Sequence, residues 1–466
     1  MPDPGLATLA RLRAATMLAA AGILASCAPS VTLPGRADVQ ATGWSVAPPA
    51  DAAAAAIPAS LATGFASPDL EALVARALAA NADLGVAAAR VEQARAQLAI
   101  ARASMFPIVS ASGGIARSRS SGSGNDPSDT RETTAQVEAQ WEVDLFGRLK
   151  AERRAARSRL LGTEYDREAL ALVVEADVAR GWVQYAALGD RLALLDRSIT
   201  SARELDRILG VRLRFGEATR VDTGLQRIEL RRLEAERHRL EEARTRTRNA
   251  LALLLGEEAP TLVLPAATLQ SLVVPAFAPE PPAMLLVRRP DLRAAEARIA
   301  AANGDVAVAR AAFLPRLTLS AAALGQAATV GGPIGTTLSA GADILAPIFD
   351  RARLQGGLDD ATASQHESVE LYRKALLTAL SETEDALAGA SRSAEREILL
   401  SDAVAEARTT ARLARLQYLE GEADLQVVLD AEGGLVDAED ARAVALQERL
   451  EAAIDLYRAL GGGARR

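Results

Sequence analysis

Apolar and small residues along residues 285–323 recur at helical spacing and then switch to alternation. Leu292, Ala295, Ile299, Ala302, Val306, Ala309 and Phe313 are separated by steps of 3, 4, 3, 4, 3 and 4, the seam of a coiled coil. Pro315 lacks an N–H and disfavours helix at the residue before it, so the helix is predicted to stop there. The segment RLTLSAAALGQ then alternates polar and apolar, the strand period. Shifted by 208 residues, from Leu292 back to Leu84, the seam repeats at Leu84, Ala87, Val91, Ala94, Leu98, Ala101 and Met105. ARASMFPIVSAS aligns with ARAAFLPRLTLS, Pro107 on Pro315. The chain carries an internal duplication.

The first copy spans 67–256. Its opening helix covers about 69–104, with Asn81 as a break or a new cap, and a strand follows at about 108–117. SRSSGSGNDPSDT, residues 118–130, is read as an exposed polar loop before a second strand at about 133–145. In that strand Ala135, Val137, Ala139, Trp141, Val143 and Leu145 face one way, and Gln136, Glu138, Gln140, Glu142 and Asp144 the other. A helix without proline runs from about 149 to 215, with a seam at Leu188, Leu192, Leu195, Ile199 and Ala202. Helices of that length imply coiled coil. Gly216 suits a left-handed helix end, Thr219 an N-cap, and Asp222 the other half of a capping box. The return helix ends near 255, and a Pro-rich linker covers 257–282. The second copy, 283–461, repeats the order: a helix opened by Arg289-Pro290-Asp291, strands at about 316–326 and 336–345, and a long helical hairpin turning near Gly421. Residues 462–466 form a tail.

A strand with one oily and one charged face suits either a soluble sandwich or a transmembrane barrel with a wet lumen. About ten residues per strand fits a tilted membrane strand, and Trp141 suits either an interfacial belt or a core. No run of 18 apolar residues provides a spanning helix. With the oily face turned to lipid, the class is an α+β membrane protein, long coiled-coil helices carrying four transmembrane strands. Four strands cannot close a barrel, and open edges are not tolerated in lipid. The chain must oligomerise; two copies would give eight strands and three would give twelve, and arithmetic alone does not choose.

Residues 1–26 combine Arg11 and Arg13, an apolar run at 14–24 and small residues at a cleavage point, a secretory signal. The single cysteine, Cys27, follows Leu24-Ala25-Ser26 and resembles the acylation site of bacterial lipoproteins; a plain signal peptide with a chance cysteine is the other reading. Residue 28 is Ala rather than Asp, which by the same resemblance implies sorting to the outer membrane. Residues 27–66, rich in Ala, Pro, Ser and Gly, read as an extended tether.

Composition narrows the chemistry. Apolar residues make up 49% but aromatics only 3%, so close helix packing through Ala and Leu replaces a large aromatic core. The net charge of −7 excludes the basic stripe of a nucleic-acid binder. One cysteine leaves no disulfide framework or thiolate metal site, and His238 and His366 sit in charged helical pattern as solvated residues. No nucleophile elbow, phosphate loop or ligand set points to an enzyme, a cofactor or a metal.

The block LLVRRPDLRAAEARIAAANGDVAVARAAFLPRLTLS (285–320), the segment WEVDLFGR (141–148), the paired turns GEATRVD (216–222) and GEADLQVVLDA (421–431), and Cys27 together resemble the TolC-type outer membrane efflux proteins, in their lipoprotein (OprM-like) branch. The usual Asn-Pro-Asp is here Asn81-Ala82-Asp83, and a frequent Gly is Ala307. The resemblance implies a homotrimer, a 12-stranded β-barrel and a periplasmic helical tunnel, acylated at Cys27 with palmitate among the chains. It implies two protein partners, an inner-membrane pump of the RND or a similar class and a periplasmic adaptor, and a passive conduit for drugs or other small solutes. It places a periplasmic gate at Glu422, Asp424 and Leu425, and adaptor docking at the turns containing Gly216, Glu217, Thr219 and Gly421. Asp424 is equally well read as the N-cap of the last helix, at the place Thr219 holds in the first copy. Two other functions share most of these features: a type I protein-secretion channel and a periplasmic coiled-coil adaptor lipoprotein.

Overall fold

Asn81 splits the first predicted helix into α2 (Pro68–Ala80) and α3 (Ala82–Ala103), bent by 43°, behind a short α1 (Leu61–Gly64). Its Oδ1 accepts from the amides of Asp83 and Leu84 at 3.0 and 3.1 Å, so it re-caps the chain as it ends one helix and starts the next. The computed structural model describes residues 43–46, 57–58, 60–122, 125–275, 278–327 and 332–463, all within the unit Val39–Arg466. The signal segment 1–26, Cys27, most of the tether 27–66 and the end of the tail lie outside the described residues.

After α3 come β1 (Ile108–Gly122) and β2 (Asn125–Val143), then α4 (Arg148–Phe215) and α5 (Arg220–Leu255). Past the linker the second copy gives α6 (Leu285–Arg288), α7 (Pro290–Ala311), β3 (Arg316–Ala327), β4 (Gly335–Leu345), α8 (Arg351–Glu420) and α9 (Leu425–Ala459). α4 and α8 have 68 and 70 residues, each about 100 Å long at 1.5 Å per residue. The seam residues Leu188, Leu192, Leu195, Ile199 and Ala202 are buried, packed against Leu233 and Leu240 of α5.

One expectation fails. Residues 118–130 are strand over most of their length: Ser118 pairs with Thr130, Arg119 with Asp129 and Ser120 with Ser128. The apolar alternation stops near 117, but ladder hydrogen bonds need only backbone, so pairing continues through polar residues. Between Ser120 and Gly122 the register slips opposite Pro127, which has no N–H to give a ladder.

The middle of the molecule is held by a core in which Trp182, Tyr457, Phe65 and Leu70 are almost fully buried. The conspicuous Arg-Pro-Asp motif acts here. The Arg289 side chain is 9% exposed; it donates to Asp291 at 2.7 Å, to Glu382 of α8 at 2.8 Å and to the Ala459 carbonyl at 3.1 Å. A cation buried this far is tolerable because each side of its fork is matched. The N-terminal segment is pinned to both copies. Ser60 Oγ and the Leu61 amide donate to the buried Glu175 of α4 at 2.7 and 2.8 Å, and the amide and Oγ of Ser45 donate to Glu384 of α8 at 2.8 Å.

Candidate channel wall and tunnel tip

The four strands form one antiparallel sheet in the order β1-β2-β3-β4. Its register lines up the oily positions predicted from alternation. Ala111, Val137, Ala323 and Leu338 form one row; Val109, Ala139, Ala321 and Ala340 form the next. Trp141, Leu319 and Ala342 follow, then Val143, Leu317 and Ile344. The opposite face carries Glu138, Gln140, Glu142, Thr318, Ser320, Ser339 and Asp343 in the same ladder. No described residue covers the outer part of the oily face: Leu338 is 79% exposed and Ile344 is 73%. The outer edges of β1 and β4 have no ladder partner among the described strands. In water this surface would aggregate, and in lipid its edges would be unsatisfied.

At the far end of the hairpins, both predicted turns form. Gly216 and Gly421 have φ of 77° and 80°, the left-handed region open to glycine at low cost, and each ends its helix as a C-cap. The Glu217 and Glu422 amides bond back to the carbonyls of Arg212 and Gln417 at 2.9 and 2.8 Å. Thr219 and Asp222 complete the capping box, the Thr219 amide donating to Asp222 at 2.7 Å. Asp424 occupies the N-cap of α9 with extended backbone, but its side chain caps nothing.

Glu422 and Asp424 are exposed, whereas Leu425 is buried. Leu425 and Val428 of α9 pack on Leu205 and Leu209 of α4, and Arg212 lies 4.9 Å from the Tyr418 ring centre. The structure thus separates the three predicted gate residues: two acids at the surface, and one leucine that fastens the second tip to the first hairpin. Further up, Arg191 of α4 holds Asp440 of α9 by two bonds of 2.6 and 2.9 Å.

Between the hairpins lies a groove of about 490 Å³, with Leu194, Arg197, Leu416, Leu419, Glu432 and Gly433 on its walls. Burial pushes the Glu432 carboxyl above the ordinary glutamate range, against the opposing pull of Arg415 at 3.8 Å. Sequence reasoning missed Glu432, Arg191 and Asp440, which pair or pack across elements far apart in the chain. It could have found Leu205 and Leu209, which extend the seam beyond Ala202 by steps of 3 and 4.

The sequence profile of the family described as outer membrane efflux protein matches residues 73–257 and 282–462. The chain is 34% identical over 408 residues to the pyoverdine export outer membrane protein OpmQ of Pseudomonas aeruginosa, covering 86% of each. It is 31% identical to the outer membrane protein OprJ of the same species, over 85% of this chain and 84% of OprJ. Among solved structures, the outer-membrane channel OprN superposes with a TM-score of 0.83 at 27% identity, over 94% of this chain and 99% of OprN. The open state of the MtrE channel of Neisseria gonorrhoeae does so with 0.82 at 26% identity, over 94% and 98%.

Proposed function

The chain belongs to the outer membrane efflux protein family, and we propose that three copies close its sheet into one twelve-stranded barrel. It is an outer-membrane efflux channel whose helical hairpins form a periplasmic tunnel. The observation that carries closure on further copies is the uncovered, register-aligned oily face between two unpaired edges, and the choice of three copies follows the efflux-channel relatives. Only closure on copies of itself satisfies those edges in lipid, and twelve strands leave a wet lumen lined by Glu138, Glu142 and Asp343.

The finer reading is a passive conduit. An inner-membrane pump of the RND or a similar class supplies the energy, and a periplasmic adaptor docks on the turns at Gly216, Glu217, Thr219 and Gly421. The apolar groove between the hairpins, with Leu416 and Leu419 half exposed, suits a helical hairpin of that adaptor. Cargo is small solutes. The relatives are named for export of pyoverdine and for efflux of toluene and other solvents, which favours small molecules over secreted protein. Cys27 carries the acyl anchor. Glu422 and Asp424 ring the tip as carboxylates that favour cations, while Leu425 keeps the ring closed by holding α9 against α4.

Three experiments test this. Ala321→Arg puts a charge on the oily face, at a cost of about 2–4 kcal/mol near the bilayer midplane, and assembled channel should disappear from outer-membrane fractions. The Cys27→Ser protein should still need detergent; a freely soluble monomer would sink the conduit and favour a tethered adaptor. At the tip, Asp424→Ala should change ion selectivity in planar bilayers, and an unaltered closed-state current and selectivity would remove it from the gate.

A further inference from the structure

Six of the nine arginines of α5 are paired with carboxylates. Arg227 bonds Asp206, Arg231 bonds Glu234, Arg232 bonds Glu229, and Arg239 bonds Glu236. Arg237 takes both Asp196 and Glu241, and Arg246 takes Glu242. Apart from Arg220 in the first turn, Arg244 and Arg248 are the exceptions: neither has a carboxylate partner among the described residues. They are four residues apart, so they share one face of the helix with Cβ atoms roughly 5–6 Å apart.

Both open on a groove of about 590 Å³ between α4 and α5, beside the linker. They are not loose surface side chains. The Arg244 guanidinium lies 4.4 Å over the Tyr185 ring, and Tyr185 stacks on the buried Trp182. Arg248 is steadied by Asn249 Oδ1 at 3.2 Å. The Nε of each is shut off from solvent with no hydrogen-bond acceptor, a costly arrangement for a charged donor. The other charges lining the groove, Asp196, Arg237 and Glu241, already satisfy one another. Two arginines on one wall of a shared groove, neither paired with a carboxylate, match the charge and donor chemistry of a carboxylate or phosphate.

We propose that Arg244 and Arg248 form an oxyanion-binding site, taking a carboxylate or phosphate group from a ligand that lies along the α4–α5 groove. The site is independent of the tip and of the barrel wall. The test uses the full-length protein in detergent, titrated with inorganic phosphate and, separately, with an octaglutamate peptide, followed by calorimetry. One site per chain is expected. Arg244→Gln with Arg248→Gln should weaken binding at least tenfold, while Arg246→Gln, whose guanidinium is already taken, should leave it unchanged. Phosphate binding alone identifies a free oxyanion as the source; peptide binding that phosphate displaces identifies an acidic segment of a partner. Should the double glutamine variant lose helicity, Arg244→Lys with Arg248→Lys keeps the charge but not the forks, and should bind several-fold more weakly. Absence of binding by both probes overturns the site, as does wild-type affinity in a well-folded double variant.

Discussion

The turns at Gly216 and Gly421 share one backbone geometry but are secured by different means. The first secures itself: Thr219 and Asp222 close a capping box across the start of α5. Charges around it are balanced, with six arginines and five carboxylates in residues 211–236. The second has no side-chain cap, and residues 416–441 hold eight carboxylates with no lysine or arginine. Left alone, it would repel itself and fray. It is held from outside, by Leu205 and Leu209 of α4 closing on Leu425 and Val428. The first turn thus stands on its own contacts, whereas the second depends on the first hairpin.

The comparison breaks most sharply at Leu209, which is fully buried. Leu209→Ala should cost about 2–5 kcal/mol of local stability. Closed-state conductance should rise, and amide exchange in the first two turns of α9 should quicken while α5 is unaffected. Equal exchange in wild type and variant would mean that this contact does not fasten the second tip. Next in size, Thr219→Ala should cost about 1 kcal/mol through its lost cap, whereas Asp424→Ala should leave stability within about 0.5 kcal/mol; urea unfolding compares the two. Arg191→Ala removes the two-bonded link to Asp440. Because Asp440 is 41% exposed, solvent screening limits the effect to about 0.5–1 kcal/mol. A double-mutant cycle with Asp440→Ala, repeated at high salt, isolates it.

The smallest effect concerns pH. The Glu432 carboxyl is raised in the folded chain by burial, so the folded state binds its proton more tightly than the unfolded state does. That contribution is fully present below the ordinary glutamate pKa, near 4.3, and is lost as pH rises through the folded value. Melting temperature should therefore fall more between about pH 4 and pH 7 in wild type than in Glu432→Gln, which has no proton to lose. Parallel curves would show that Glu432 is solvated like any surface acid.

Much of this was legible in the chain. Two-residue alternation identified the oily rows because a strand has only two faces, and the turn chemistry located both tips because left-handed glycine and N-cap residues act locally. Other features were not. The ladder through 118–130 is made by backbone groups, which leave no trace in the polarity pattern. The resemblance placed Leu425 at a gate, while its packing on Leu205 and Leu209, more than two hundred residues away, left no local signal. Arg289 advertised itself as a helix start, while its buried ties to Glu382 and Ala459 appear only once α8 and α9 have come together. Burial of Glu432 likewise depends on a neighbour that no local spacing reveals.

The unequal hairpins have a consequence at the opposite end of the molecule. β1 and β2 have 15 and 19 residues, β3 and β4 only 12 and 11, so at about 3.3 Å per residue the taller ribbon exceeds the shorter by up to roughly 25 Å. In a threefold assembly the longer ribbon would rise past the shorter one at three places around the rim, giving the wall an uneven edge.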